Sequence, residues 1–410
     1  MGAAGGETGP AGTGGGGGAT AVPEGGTGPG GTAEARRRRL GAVRGAMAER
    51  QVDALLLSHG ADLPWLTGYR AMPLERLTML VLPVEGDAVL VVPELEAPRV
   101  PAGADVVVRP WAETEDPVAL VAALLAPALP AARGRAPRLG ISERAWASTL
   151  VSLQQAVAGA EWVVAAAVTG PLRAVKDAAE IAALRAAAAA ADAVAVAVTG
   201  GEVPMVGRSE AEVSADIARR LLGAGHHQVN FAIVGSGPNG ASPHHEPGER
   251  PIERGDVVVC DFGGTLVPGG DTVGYCSDIT RTVTVGPPAP EVAAAYDVLR
   301  RAQAAAVSAV RPGVRAEAVD AAARQVITDA GLGPRFIHRT GHGIGIEEHE
   351  APYVVAGNRT ELVPGHAFSV EPGIYLPGRY GMRLEDIVVV ADDGVDVLNT
   401  APRDLAVVDG

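Results

Sequence analysis

The sequence holds only two cysteines, Cys260 and Cys276, so no disulfide framework organises it. Aromatic residues are scarce at 3%, while alanine, valine and glycine abound; this reads as background composition rather than as a functional signal. Positive charge is also short. There are 34 Lys and Arg against 48 Asp and Glu, a formal net charge of −14. That balance excludes nucleic acid and anionic membrane surfaces as partners, because phosphate binding needs a basic footprint. No uninterrupted apolar run reaches membrane-spanning length. The nearest, residues 181–198, is dominated by alanine and broken by Arg185 and Asp192. The Gly-rich N-terminus has neither the basic nor the apolar segment of a secretory signal. These absences point to a cytoplasmic chain with no membrane role.

What is present is 410 residues, 47% hydrophobic and 20% charged, more than one ordinary core accommodates. Residues 1–33 are Gly, Ala, Thr and Pro with almost nothing to bury, and are expected to be disordered. The Arg36 to Arg39 run that follows reads as a solvated helix face. From 34 to 168 short apolar runs alternate with turn residues. Strands are expected at 54–57, 79–82, 88–92, 106–108 and 139–141, and helices at about 36–50, 116–127 and 143–157. This is a mixed α/β pattern without an acid/base cluster, in which Trp65 and Tyr69 read as packing residues. Thr169-Gly170-Pro171 marks a boundary, and 169–410 forms a second unit. Helices are expected there at about 177–199, 209–223, 291–310 and 315–330, with strand pairs near 229–235, 256–285, 366–376 and 382–390.

Two apolar strands carrying Asp261 and Asp278 flank Pro268-Gly269-Gly270-Asp271. A Gly-Gly pair suits a two-residue hairpin turn, since both central residues need positive φ. Centred there, the hairpin sets Asp261 directly opposite Asp278, at a Cβ separation of roughly 4.5–5.5 Å. Such a pair repels unless a cation or a shared proton relieves it. The same register puts Cys260 and Cys276 on opposite faces. A second hairpin repeats the device: Glu371 and Glu385 are equidistant from Gly378. Two facing carboxylate pairs carry four negative charges, which two divalent cations neutralise. An imidazole comes from Gly341-His342-Gly343-Ile344-Gly345, whose glycines permit close backbone approach. Six of the nine histidines cluster here: His244 with His245, His338 with His342, and His349 with His366. A carboxylate-rich set with one imidazole suits Mn²⁺ best, with Co²⁺, Fe²⁺ or Zn²⁺ as alternatives.

These residues resemble a known family. His338-Arg339-Thr340-Gly341-His342-Gly343-Ile344-Gly345, Glu371-Pro372-Gly373-Ile374-Tyr375 and Arg383-Leu384-Glu385-Asp386 are similar to signatures of the prolidase/aminopeptidase P branch of the pita-bread metallopeptidases. So are Asp261-Phe262-Gly263, Ser277-Asp278-Ile279-Thr280-Arg281-Thr282 and Pro243-His244-His245. The resemblance is strong over 170–400 and rests only on length and strand pattern over 40–168. It implies an α+β fold: a C-terminal pita-bread domain preceded by a smaller α/β domain of the creatinase/prolidase type. It also implies metal ligands at Asp261, Asp278, His342, Glu371 and Glu385, all of which are kept. The first hairpin is longer than the family pattern, and equal lengthening of both strands keeps the pair in register.

The activity so implied is hydrolysis of an Xaa-Pro bond, in dipeptides or at the N-terminus of longer peptides, by a metal-bridging hydroxide. Glu371 would shuttle the proton, His349 would stabilise the oxyanion, and His244 would contact the substrate near the scissile amide. His338, His245 and Arg383 would bind substrate, with Arg383 also a partner for the acids. The partners implied are small peptides with proline at the second position, and a second copy of the chain in a homodimer. The alternative is a catalytically silent or creatinase-like relative, a binding protein or a non-peptide C–N hydrolase, whose mark would be lost ligands.

Overall fold

The computed structural model describes residues 1–2, 32–102, 104–129, 135–269 and 272–409. The tail expected to be disordered falls almost wholly outside them. The first ordered element is the helix Ala33–Glu49, whose N-terminus is capped by the Thr32 hydroxyl accepting from the Ala35 N–H. Of the four arginines in its 36–39 run, Arg37 and Arg38 are exposed, but Arg36 and Arg39 are buried. The solvated face expected for the run therefore holds only in part. Helical spacing turns Arg39 inward, 3.1 Å from Glu180 and 3.5 Å from Asp177 at the start of a later helix.

Six strands form the first sheet, in the order Val107–Trp111, Val89–Pro93, Met79–Pro83, Ala54–Leu57, Arg138–Ile141 and Glu161–Val164. Its central strand is buried on both faces, and side-chain alternation sorts the residues. Leu55 and Leu57 pack with Leu40, Val43 and Met47 of the first helix. Ala54 and Leu56 pack on the other face, with Val121, Leu125 and Leu153 from the helices Pro117–Leu125 and Ala147–Ala156. Trp65 and Tyr69 are core residues, as expected. The position proposed as the boundary, 169–171, lies in the helix Ala166–Ala174, with Pro171 inside it.

Two five-stranded sheets and a two-stranded ribbon follow. One sheet contains Gln228–Ser236, Val257–Leu266, Tyr275–Cys276, Ile279–Val285 and Ala406–Val408, covered by the helices Ala178–Thr199 and Glu210–Gly223. The other contains Gly341–Gly343, Glu350–Val354, Ala367–Val370, Asp386–Val390 and Val395–Val397, covered by Pro290–Ala309 and Ala316–Asp329. This is the expected α+β arrangement, a smaller α/β layer ahead of two helix-backed antiparallel sheets. Ala178–Thr199 is long and apolar enough by composition to cross a membrane, yet it serves here as a core helix. It buries Asp192, which accepts from Asn399 and Thr400.

The two hairpins differ in how far their turns were legible. Ala367–Val370 pairs with Asp386–Val390, and Gly373–Leu376 with Tyr380–Arg383, in one continuous register centred on Gly378, which has φ 75°. Glu371 and Glu385 are thus opposite each other, as expected. In the first hairpin Asp261 faces Thr280, not Asp278. Its centre falls between residues 270 and 271, one position beyond the Gly-Gly step, and both lie outside the described residues. A two-residue offset preserves the face, because side chains alternate with period two, so the two aspartates remain on one side as diagonal neighbours. Gly263 now lies opposite Asp278, and a Cβ there would stand 2.1 Å from the Ser277 carbonyl oxygen. Cys260 and Cys276 are both buried free thiols.

Candidate metal centre

The second hairpin leaves one sheet and enters the ribbon at 371–372 and 384–385, where its arms keep one long bond, from the Leu384 N–H to the Pro372 carbonyl at 3.4 Å. The freed amides find partners elsewhere. The Glu371 N–H donates to the Thr340 carbonyl at 2.8 Å, and the Glu385 N–H to the Thr280 carbonyl at 3.3 Å. Each glutamate is therefore pinned to a strand bearing another candidate ligand, the one next to His342 and the one next to Asp278. Close approach is built in at Gly341, where a Cβ would lie 1.8 Å from the Ser369 carbonyl oxygen.

Asp261, Asp278, His342, Glu371 and Glu385 come together at one cavity of about 560 Å³, which His244, His338, His349 and Arg383 also line. His342 Nε2 is 3.4 Å from Glu371 Oε1 and 3.7 Å from Asp278 Oδ2. Asp278, His342 and Glu385 each offer a donor atom within 4.8 Å of the others. The His342 Nδ1–H donates to the Gly343 carbonyl at 3.1 Å, which leaves Nε2 as the lone-pair nitrogen facing the acids. Burial lowers its pKa to about 3, so it is neutral and able to ligate.

The acids lack what would settle them. Among the described residues no N–H or O–H donates to Asp278, which is 4% exposed. Burial, followed by repulsion from Glu385, Asp261 and Glu371, pushes its carboxyl well above the usual range. Glu385 is raised for the same reasons, and burial lifts Glu371 to about 7. The Thr280 hydroxyl lies 2.9 Å from Asp261 Oδ1 and 2.6 Å from Glu385 Oε2, and its single proton serves only one of them. Among the described residues Arg383 is the one cation buried with them, paired with Asp261. Four carboxylates against one guanidinium leave a deficit of positive charge that divalent cations fit, and the oxygen-rich donor set with one imidazole suits them.

Other expected site residues fall as follows. His349 packs against His342 with ring centroids 3.9 Å apart and planes tilted by 49°, and the Arg339 guanidinium donates to its Nδ1 at 3.4 Å. A guanidinium can only donate, so Nδ1 accepts and Nε2 carries the ring proton. The His338 Nδ1–H donates to the Arg339 carbonyl, and its Nε2 accepts from the Tyr375 hydroxyl at 2.9 Å. Burial takes its pKa down to about 4. Arg383 Nη1 donates to the same Tyr375 oxygen, and its Nε to Thr280. His244 is exposed on the cavity wall. His245 is not brought there: its Nε2 meets Glu210 at 2.7 Å, because neighbouring side chains of this loop diverge. The cavity also exposes Phe231, Ile233, Arg339 and Glu348, which no sequence pattern marked as lining. Arg339 and Tyr375 lay inside quoted motifs, yet only the packed structure reveals which way they face.

The model of metallopeptidase family M24 matches residues 182–392, and that of the creatinase/prolidase N-terminal domain matches 39–175. Fold and donor set define the class, a divalent-metal enzyme of the pita-bread architecture. The chain belongs to metallopeptidase family M24, with a creatinase/prolidase N-terminal domain ahead of the family domain. A protein of Mycobacterium tuberculosis described as probable dipeptidase PepE is 48% identical over 381 residues, covering 92% of this chain and 97% of that one. Among solved structures, dipeptidase PepE from Mycobacterium ulcerans has a TM-score of 0.83 at 47% identity, covering 92% of this chain and 98% of that one. A prolidase from Thermococcus sibiricus has a TM-score of 0.83 at 36% identity, covering 90% and 98%.

Proposed function

We propose that this chain is a two-metal peptidase that hydrolyses the bond between an N-terminal residue and proline in small peptides. The observation that carries this reading is the convergence of two opposed carboxylate sets and one lone-pair imidazole at a single cavity. Asp261, Asp278, His342, Glu371 and Glu385 would hold the ions, with Mn²⁺ the best match to the donors. Bound there, two divalent cations supply an acidified water and a Lewis acid for the scissile carbonyl.

The protein's own groups do the rest. Glu371 takes the proton released as water attacks the carbonyl and passes it to the departing proline nitrogen. His349, with its ring proton on Nε2, donates to the developing oxyanion. Arg383 holds Asp261 and Tyr375 in place and leaves no carboxylate there to drift. His338 has both ring nitrogens engaged, so it presents a ring surface to the substrate rather than a free donor. A bond to proline lacks an N–H, so recognition must come from shape and apolar contact, for which Phe231, Ile233 and Pro243 provide surface. Relatives described as prolidase and dipeptidase support the substrate class. Retention of all five candidate ligands argues against a silent relative.

The test is release of proline from Xaa-Pro dipeptides, with Mn²⁺ and after complete chelation. Activity is expected only with metal, and Glu371→Ala should lower kcat by at least about 100-fold. Undiminished turnover after chelation, or by Glu371→Ala, would sink the mechanism.

A further inference from the structure

Glu347-Glu348-His349-Glu350 sets three carboxylates within four residues, and they part company. Glu347 and Glu350 turn to the joint with the N-terminal layer, where Arg144, Arg173 and Lys176 pair with them. Glu348 turns to the cavity wall, half-buried, and among the described residues no cation pairs with it. The charge of Arg144 reaches it, but that guanidinium is bonded to Glu347 at 3.2 Å. Its carboxylate accepts instead from the neutral amide of Asn230, which a bulge in the strand Gln228–Ser236 leaves outside the regular ladder. Burial raises its carboxyl above the usual range, as expected of a charge short of water and of a counterion. Hydrolysis as proposed above makes no use of this fifth acid.

Between the four candidate ligand acids and Glu348 the wall is apolar. Gly263 lies opposite Asp278, and the Phe231 ring occupies the space beside it, 2.8 Å from where a Cβ would stand. Phe231 and Ile233, two apart on their strand, turn one face to the cavity, and Asn230 precedes Phe231 in the chain. Outward from the acids, the surface therefore runs over an aromatic ring and a branched aliphatic chain to a single unpaired carboxylate. In a substrate the Cα of the first residue is bonded to the scissile carbonyl, so its side chain starts at the acids and has this wall to follow. Lysine and arginine match it in order, a methylene stem for the apolar stretch and a cationic end for Glu348. An acidic side chain would meet repulsion there.

We propose that Glu348 receives the cationic end of a lysine or arginine at the first position of the substrate, and so makes the site selective for peptides that begin with a basic residue. This rests on the peptidase reading above. The experiment compares lysyl-proline with norleucyl-proline on the Mn²⁺-loaded full chain; the two share a straight aliphatic side chain and differ in its terminal charge. Wild-type kcat/KM should favour the lysyl substrate by about 5- to 30-fold, mostly through KM. Glu348→Gln, which keeps an oxygen for the Asn230 amide, should close that gap by loss on the lysyl substrate. Glu348→Lys should turn the preference to glutamyl-proline. Stronger inhibition by L-lysine than by L-norleucine, a difference lost in Glu348→Gln, reads the contact without turnover. Equal wild-type kcat/KM on the lysyl and norleucyl substrates would overturn the assignment and leave the peptidase reading intact. So would an equal loss on both in Glu348→Gln, which marks a structural role or a contact with the α-ammonium they share. Cleavage of none of the three dipeptides would instead overturn the peptidase reading, and the assignment with it.

Discussion

Asp278 is a buried carboxylate with three acidic neighbours and, among the described residues, no hydrogen-bond donor, so in metal-free protein its charge is a liability. Replacing it with the isosteric amide removes that liability and removes a candidate ligand at once. Asp278→Asn is therefore expected to unfold at the same temperature as wild type or a few degrees higher in chelator. In Mn²⁺ it should lose most of the stabilisation that wild type gains. Thermal scans of both proteins under both conditions check this, and a large loss of stability in chelator would count against it. At this scale the candidate site was partly legible. Residue type and glycine-flanked spacing pointed to five donors, because ligand chemistry restricts the choice to a few side chains. Arg339, Tyr375 and the departure of His245 were not legible, because facing into a cavity is set by packing that no local pattern encodes.

Among the elements, the hairpins show what governs register. Gly378 was readable as a turn centre because a positive φ there favours glycine, and the strands on either side follow it without a slip. In the first hairpin the Gly-Gly signal pointed one position away from the true centre. Only the period of two kept the aspartates on one face. The buried arginines of the first helix show the complementary limit. A run of four identical charges says nothing about which turn faces Glu180. Two glycines, Gly341 in its sheet and Gly378 in the turn of the ribbon, make a contrast that can be measured. Gly341→Ala would drive a Cβ into the Ser369 carbonyl and should cost about 3 kcal/mol or more, with loss of activity. Gly378→Ala meets open space and should cost only about 1–2 kcal/mol from its positive φ, with kcat nearly unchanged. Denaturant midpoints and turnover separate the two, and similar losses in both would refute the close-approach argument.

For the whole molecule, the joint between the first sheet's layer and the catalytic half adds a cluster of charges to a shared apolar core, in which Leu55 and Trp65 join Ile344, Ile387 and Leu398. Arg173 pairs with Asp62 from the N-terminal layer at 3.1 Å, with Glu347 at 3.0 Å and with Glu350. Lys176, the single lysine of the sequence, joins Glu350 and is itself buried. Glu347 and Glu350 bracket His349, so the cluster fixes the turn that presents this ring to the cavity. Removing one partner of a buried cluster strands the others, at a cost of about 3–5 kcal/mol. Arg173→Met should therefore lower stability by that order and reduce kcat several-fold. A variant with wild-type kcat would show that the joint does not position His349. The layered α/β-then-α+β order was legible from apolar periodicity. This joint was not, since its charges are scattered from Asp62 to Glu350 and meet only once the chain has folded.

The amides of Glu371 and Glu385 give the fold a built-in gauge. Each is spent on a carbonyl of a different strand, at Thr340 and at Thr280, rather than on the opposite arm of its own hairpin. Solvent exchange at these two amides requires the hairpin to part from the two strands it bridges, and that parting also pulls the candidate ligands away from one another. Their hydrogen-exchange rates should consequently slow together when cations fill the site. Amides deeper in either sheet, such as those of Val258 and Val388, would stay indifferent, so two backbone protons would register the assembly of a centre formed by side chains.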